Sequence, residues 1–189
     1  MELYEGTLKD YCTGNYDGQK IEEVDGQLQM ARGLDYIHSK ILVHRDIKPE
    51  NVLFIQSTDP DSLVIFKISD FGLARTTSER GTYLISMVAG TQNYMAPELL
   101  KVFDSREKNE GPAAEKLLRG SRAADVFGMG CVFFFYLTNG DHPFGKDFYI
   151  KYNILKGEFN ISSKLLFFSS NFQFVSFFFH CRPDKSFFV

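Results

Sequence analysis

The chain has 189 residues, a formal charge of −3 and three cysteines, and 44% of its residues are apolar. That length supports one domain with a sizeable core, and the slight negative charge offers no basic stripe to a nucleic acid. Cys12, Cys131 and Cys181 have neither metal-ligand spacing nor disulfide density, so a reducing compartment is expected. No basic-then-apolar leader opens the chain, and the charge-free stretch Leu165 to Phe179 is broken by Ser, Asn and Gln. It is also shorter than the ~20 apolar residues a bilayer span needs, so no membrane crossing is expected.

In chain order, Met1 to Tyr4 is a short apolar opening and Gly6 to Tyr11 reads as the start of a helix. Gly14 to Gly18 is a polar break. Ile21, Val24, Leu28, Ala31, Leu34 and Ile37 recur at three- and four-residue steps, which predicts one long amphipathic helix ending near Ser39. Ile41-Leu42-Val43 is a β-branched run leading into a loop at His44. The strand-like runs Val52 to Ile55 and Leu63 to Ile68, joined by polar Gln56 to Asp61, predict a hairpin. Asp70 to Glu98 has little periodicity and reads as a long functional loop. The charged run Lys101 to Lys116 reads as a solvated surface, with a short helix expected within Ala113 to Leu118. Asp125 to Leu137 is apolar nearly all round, which predicts a helix buried on every face. Gly140 to Gly145 is a turn cluster, and Tyr149 to Leu155 predicts one further helix. Beyond Ile161 phenylalanine accumulates without period, and no fold role follows from it.

The chemistry is concentrated in His44-Arg45-Asp46-Ile47-Lys48-Pro49-Glu50-Asn51, followed nineteen residues after Asn51 by Asp70-Phe71-Gly72. Gly90-Thr91 and Ala96-Pro97-Glu98 come next. Taken singly, Asp46 and Asp70 are as well explained as turn carboxylates that cap helices. Together with Lys48, Asn51 and the intervening hairpin they have the spacings that orient a hydroxyl and hold magnesium on a nucleoside triphosphate. Hard oxygen ligands suit that ion. These motifs resemble the eukaryotic protein kinase catalytic core.

The resemblance implies an α+β protein-kinase-like fold, namely the mainly α large lobe with a small β-hairpin. It covers residues 1–160, leaving 161–189 as a Phe-rich tail. Asp46 and Lys48 take the catalytic positions, the lysine marking the Ser/Thr-directed branch, and Asn51 and Asp70 take the metal positions. ATP contacts are implied for Glu2 and Tyr4 at the hinge, for Leu53 under the adenine ring, and for Lys48, Glu50, Asn51 and Asp70. Leu53 would look the same as an ordinary core leucine. Phe71 is expected to pack inward beside His44, Gly72 to free the turn behind Asp70, and Thr91 to contact Asp46 and Lys48. Asp125 matches the aspartate that ties down the backbone at His44 and Arg45, a position equally consistent with a helix N-cap. Arg45 is the expected partner of a phosphate in the loop, with Ser86 or Thr82 as the acceptor. For Glu98 the expected partner is Arg182.

Finer features resemble the inositol-requiring stress-sensor kinases of the endoplasmic reticulum: Gly130 to Tyr136, Gly140 to Lys146, Asn153 to Leu155 and the long hairpin. That likeness implies a protein substrate, ATP with Mg2+, dimerisation of the full-length protein, and a place on the cytoplasmic face of an anchored relative. No nucleic-acid contact is expected of this segment. The chain departs from the pattern in having no Gly-x-Gly-x-x-Gly loop, no Val-Ala-Ile-Lys strand and no helix glutamate, so the small lobe is expected to be missing. A non-catalytic binding module and a degenerate gene fragment remain open alternatives.

Overall fold

The computed structural model describes residues 3–18, 20–56, 64–85, 89–107, 119–146 and 148–159. It is a mixed α+β fold dominated by helix, with three small antiparallel sheets.

The opening differs from the expected helix at Gly6. Gly6–Thr7 forms a strand, β1, because it pairs with Leu53 and Phe54, and only then does α1 (Leu8–Cys12) begin. Thr7 caps α1 through a reciprocal pair with Asp10, whose carboxylate accepts the Thr7 N–H at 2.9 Å. The long helix α2 (Glu23–Ser39) is where the periodicity put it, but with a different face turned inward. Gly26, Gln27, Met30, Leu34 and Ile37 are buried, whereas Val24 is 60% exposed and Leu28 is exposed as well. The rotation is fixed by Gln29, whose amide donates to the Val64 carbonyl (3.1 Å) and accepts the Phe66 N–H (2.7 Å). A polar side chain thus holds the helix to a strand edge.

Strand β2 (Leu42–Val43) pairs with β5 (Arg75–Thr76), and the hairpin β3 (Val52–Gln56) and β4 (Val64–Ile68) forms a sheet of order β1-β3-β4. Val52, Phe54, Val64 and Phe66 point into the core while Leu53 and Ile55 alternate outward. The hairpin's connecting residues, 57–63, lie outside the described residues.

The segment from Asp70 to Glu98 is more ordered than its lack of periodicity implies. It contains β5, 3-10 turns at Phe71–Leu73 and Gln92–Tyr94, and β6 (Thr82–Leu84), which pairs with β7 (Arg119–Ser121). Strands of two or three residues are too short to show a period. The charged run expected from Lys101 begins inside a helix, with Val102 its one buried residue among those whose burial is described. That helix, α3 (Pro97–Glu107), starts ahead of the run and buries Leu99 and Leu100 there. The helix expected at 113–118 and the tail 161–189 lie outside the described residues.

Helix α4 (Arg122–Thr138) is buried without a break from Gly128 to Thr138. Two apolar clusters explain this. One joins α1, α2, β3 and β4 to Met129, Val132 and Phe133; the other joins Val43, Tyr83, α3, Phe144 and α5 (Phe148–Lys156) to Cys131. Ile150 and Ile154 carry α5 into the second cluster, and Lys151 bonds Asp104 of α3 at 2.6 Å. No described helix is long and apolar enough to cross a membrane.

Candidate active site

The loop from His44 to Asn51 leaves the core at β2 and returns at β3, and α4 fixes it from behind. Asp125, only 3% exposed, accepts the backbone N–H of His44 through Oδ2 and that of Arg45 through Oδ1, each at 2.8 Å. His38, in the last turn of α2, bonds Oδ2 as well, at 2.9 Å. A buried carboxylate requires such donors. The reading of Asp125 as an N-cap is incorrect, because α4 begins at Arg122 with Ser121 at the cap and Asp125 lies inside the first turn.

Those two hydrogen bonds hold Arg45 in the left-handed region, at φ 74°. The turn brings the Arg45 carbonyl against Gly90, where an added Cβ would lie 2.4 Å from the oxygen, and Gly90 itself has φ 119°. Only glycine fits there. The Arg45 guanidinium carbon lies 5.4 Å from the ring centroid of Tyr83.

His44 is fully buried and links two strands. Its Nε2–H donates to the Ser69 carbonyl (2.8 Å), which leaves Nδ1 to accept the Asp46 N–H at 3.3 Å. Ser69 in turn donates its N–H to the Asn51 carbonyl at 2.8 Å and its hydroxyl to the same oxygen at 3.0 Å. Nothing in the sequence marked Ser69 or His38, whose roles depend on which residues the fold sets opposite them.

Asp46 is the hub. Oδ1 accepts the Thr91 N–H and hydroxyl, both at 2.8 Å; Oδ2 pairs with Lys48 Nζ at 2.7 Å and accepts Asn51 Nδ2 at 3.0 Å. Lys48 Nζ also donates to the Thr91 hydroxyl at 2.8 Å, and Asn51 Nδ2 to the Asp46 carbonyl at 2.8 Å. Burial is the largest single influence on the Asp46 carboxyl and raises its pKa. The bonds from Lys48 and Thr91, with the Lys48 charge, together outweigh burial and hold it below the usual value. Asp46 is therefore a charged acceptor fixed in one orientation.

Asp70 sits one residue past Ser69, so the hairpin pairing carries it to the Asn51 end of the loop. It adopts φ 63° and accepts the Gly72 N–H at 3.3 Å. The left-handed residue of this turn is thus Asp70 and not Gly72, contrary to expectation. Glycine at 72 leaves room for the carboxylate, since a Cβ there would lie 3.2 Å from Asp70 Oδ1. Phe71 meets the His44 ring edge-on at 5.1 Å, as expected, but is 47% exposed and not packed inward. Among the described residues no three or more His, Cys, Asp or Glu side chains gather as a metal site. The Asn51 amide oxygen and the Asp70 carboxylate nevertheless suit Mg2+, which takes one or two carboxylates and completes its shell with water and phosphate oxygens.

The other expected residues are more dispersed. Leu53 faces away from the core, which removes the ordinary-core reading. Glu50 forms an exposed pair with Lys9 at 3.1 Å. Tyr4 is exposed in the segment before β1, and Glu5 N–H donates to the Phe54 carbonyl at 3.0 Å. Thr82 lies in β6, its hydroxyl 3.0 Å from that of Ser78. Glu98 lies in the first turn of α3, where burial raises its carboxyl. Glu2, Ser86 and Arg182 lie outside the described residues.

The pattern of the Protein kinase domain matches residues 1–174. The chain belongs to the protein kinase family. Among curated relatives, the sensor for unfolded proteins in the ER ire1 of Schizosaccharomyces pombe is 34% identical over 150 residues, 75% of this chain and 14% of that protein. The serine/threonine-protein kinase/endoribonuclease ireA of Aspergillus fumigatus is 36% identical over 154 residues, 70% of this chain and 13% of that protein. The serine/threonine-protein kinase/endoribonuclease IRE2 of Homo sapiens is 36% identical over 162 residues, 83% and 16% of the respective lengths. This kinase domain is closely related to the IRE1-type stress sensors, and it spans about one seventh of their length.

Proposed function

We propose that this segment is the large-lobe part, residues 1–160, of a Ser/Thr protein kinase that transfers the γ-phosphoryl group of ATP to protein hydroxyls. The observation that carries the reading is the Asp46 carboxylate, shared by Lys48, Thr91 and Asn51 within 3.0 Å. A carboxylate so held orients the attacking hydroxyl and accepts its hydrogen bond, while Lys48 offsets charge on the phosphoryl oxygens. Asn51 and Asp70 are the residues that would hold Mg2+. When bound, the ion supplies charge neutralisation across the triphosphate. Leu53 and Tyr4 would line the adenine side, and phosphorylation at Ser86 or Thr82 would tune the loop.

The name of one relative, a sensor for unfolded proteins in the ER, supports a place in a stress pathway of the unfolded-protein type; a position on the cytoplasmic face and dimerisation of the full-length protein belong to the same proposal. Since the chain covers a fraction of those relatives, the test uses the full gene product that carries this segment. Radiolabelled Mg-ATP is offered with Ser/Thr peptides, wild type beside Asp46→Asn. The expected loss in turnover is roughly 10²–10⁴-fold, the usual range for a positioned acid–base group. Equal activity in both proteins would overturn the assignment of Asp46. No transfer by either protein would favour the binding-module reading.

A further inference from the structure

Helix α5 presents two unlike faces. Ile150 and Ile154 are buried in the second cluster. On the opposite side stand Phe148, 94% exposed, Tyr149, 70%, and Tyr152, 55%. Phe148 and Tyr152 are four residues apart and Tyr149 and Tyr152 three, so the rings are neighbours on one strip. Rings of this size carry about 150–250 Å² each, and the bare strip amounts to roughly 400 Å². That is about as much contiguous apolar surface as a monomer leaves to water. Lys146 and Lys156, both exposed, stand at its two ends, the second over the Tyr152 ring at 5.8 Å.

The end of the helix turns the chain back along that strip. Gly157 is left-handed, at φ 70°; its N–H donates to the Ile154 carbonyl at 3.2 Å, and the Glu158 N–H donates to the Asn153 carbonyl at 2.9 Å. Those two bonds are a Schellman cap. Phe159 is then already back over Phe144, which precedes the helix, with ring centroids 4.9 Å apart. Asn153 holds Phe144 to α5 by donating its amide to the Phe144 carbonyl at 2.8 Å. Asn153 lies four residues from Tyr149, so this contact flanks the bare strip directly. The chain leaves α5 beside its exposed rings, and with an aromatic contact already made.

Residues 160–189, outside the described residues, follow Phe159, and the stretch 165–179 combines Phe167, Phe168, Phe172 and Phe174 with no charge. We propose that this stretch, beginning with 165–168, docks on the strip of Phe148, Tyr149 and Tyr152 of its own chain. The nine residues of α5 are about 13 Å long, which roughly four extended residues span. Residues 160–164 are therefore enough chain to bring Leu165 to the first turn of the helix, and a closure this short costs little loop entropy. A second copy is the poorer occupant. Packed antiparallel on the same strip, it sets Lys156 of one protomer against Lys146 of its partner, whereas 165–179 carries no charge to repel. The inference concerns α5 and the tail, and it holds whether or not Asp46 supports transfer.

The test uses the full 189-residue chain with p-benzoylphenylalanine in place of Phe148, one exposed aromatic side chain exchanged for another. Irradiation should join position 148 to peptides from 160–179. In a mixture of 15N-labelled and unlabelled copies, the two halves of each adduct should carry the same label. Mixed-label adducts in the random proportion would give the strip to a second copy and overturn the proposal, as would the absence of any adduct to 160–189. A second measurement needs no photochemistry. Chymotrypsin cleavage within 165–179 follows the undocked population. Tyr152→Asp should speed it about tenfold or more, since burial of one large apolar side chain shifts an equilibrium by that much. Val24→Asp, at a comparably exposed apolar position on α2, should leave the rate unchanged. Cleavage that Tyr152→Asp does not accelerate, or that Val24→Asp accelerates equally, would also overturn the docking.

Discussion

The Thr91 hydroxyl stands between opposite charges, accepting from Lys48 Nζ and donating to Asp46 Oδ1. Thr91→Val keeps the shape and the backbone N–H bond but removes both side-chain bonds. Hydrogen bonds to charged groups contribute about 1.5–3 kcal/mol each, so with two removed, urea denaturation at neutral pH should show a loss of roughly 3–6 kcal/mol. The loss should depend on pH in a defined direction. The Asp46 carboxyl is held below its ordinary value, so its contribution to stability is complete above about pH 4 and disappears as pH falls through the lowered folded value. With Thr91→Val the folded value moves back up. The stability difference between the two proteins should therefore narrow on acidification below about pH 4. A gap that stays constant down to the acid limit would mean that Thr91 acts by packing alone and not on the carboxylate.

At the scale of elements, the contact that positions the hairpin is a side-chain amide. Gln29 bonds both Val64 and Phe66, so Gln29→Leu leaves a strand carbonyl and an N–H without their partner. The expected cost is about 1–3 kcal/mol for each group left unsatisfied, read as a lower urea midpoint. Amide exchange should quicken at Phe66 while the β3–β4 ladder keeps its register. The same contact explains what the sequence concealed. Periodicity located α2, yet the apolar residues Val24 and Leu28 face solvent because Gln29 and the strand edge, not hydropathy, set the rotation. The motif residues were legible because their chemistry requires fixed spacing: Asp46, Lys48 and Asn51 lie within one loop, and Thr91 joins them. Ser69 and His38 were not, since each acts through a partner 25 or 87 positions away. The short strands β5, β6 and β7 escaped for a different reason: their pairing is their only signal.

For the molecule as a whole, α4 is a shared wall. Its apolar residues serve both clusters, Phe133 on the side of Cys12 and the hairpin, Cys131 on the side of α3 and α5. The two cysteines therefore report the two halves separately. Burial pushes the Cys12 thiol up to about 12 and the Cys131 thiol well above its ordinary value, so neither should react with maleimide in the folded chain. In urea steps, pulse labelling read by peptide mass spectrometry gives one midpoint per cysteine. If one helix supports both clusters, the halves cannot melt apart and the midpoints should coincide. Phe133→Ala removes a fully buried ring that, among the described residues, belongs to the Cys12 cluster, at a cost of about 3–5 kcal/mol. Both midpoints should then fall together, including that of Cys131, whose cluster among the described residues does not include Phe133. A fall confined to Cys12 would show that the site loop, pinned by Asp125 on this helix, is built on two units that open independently.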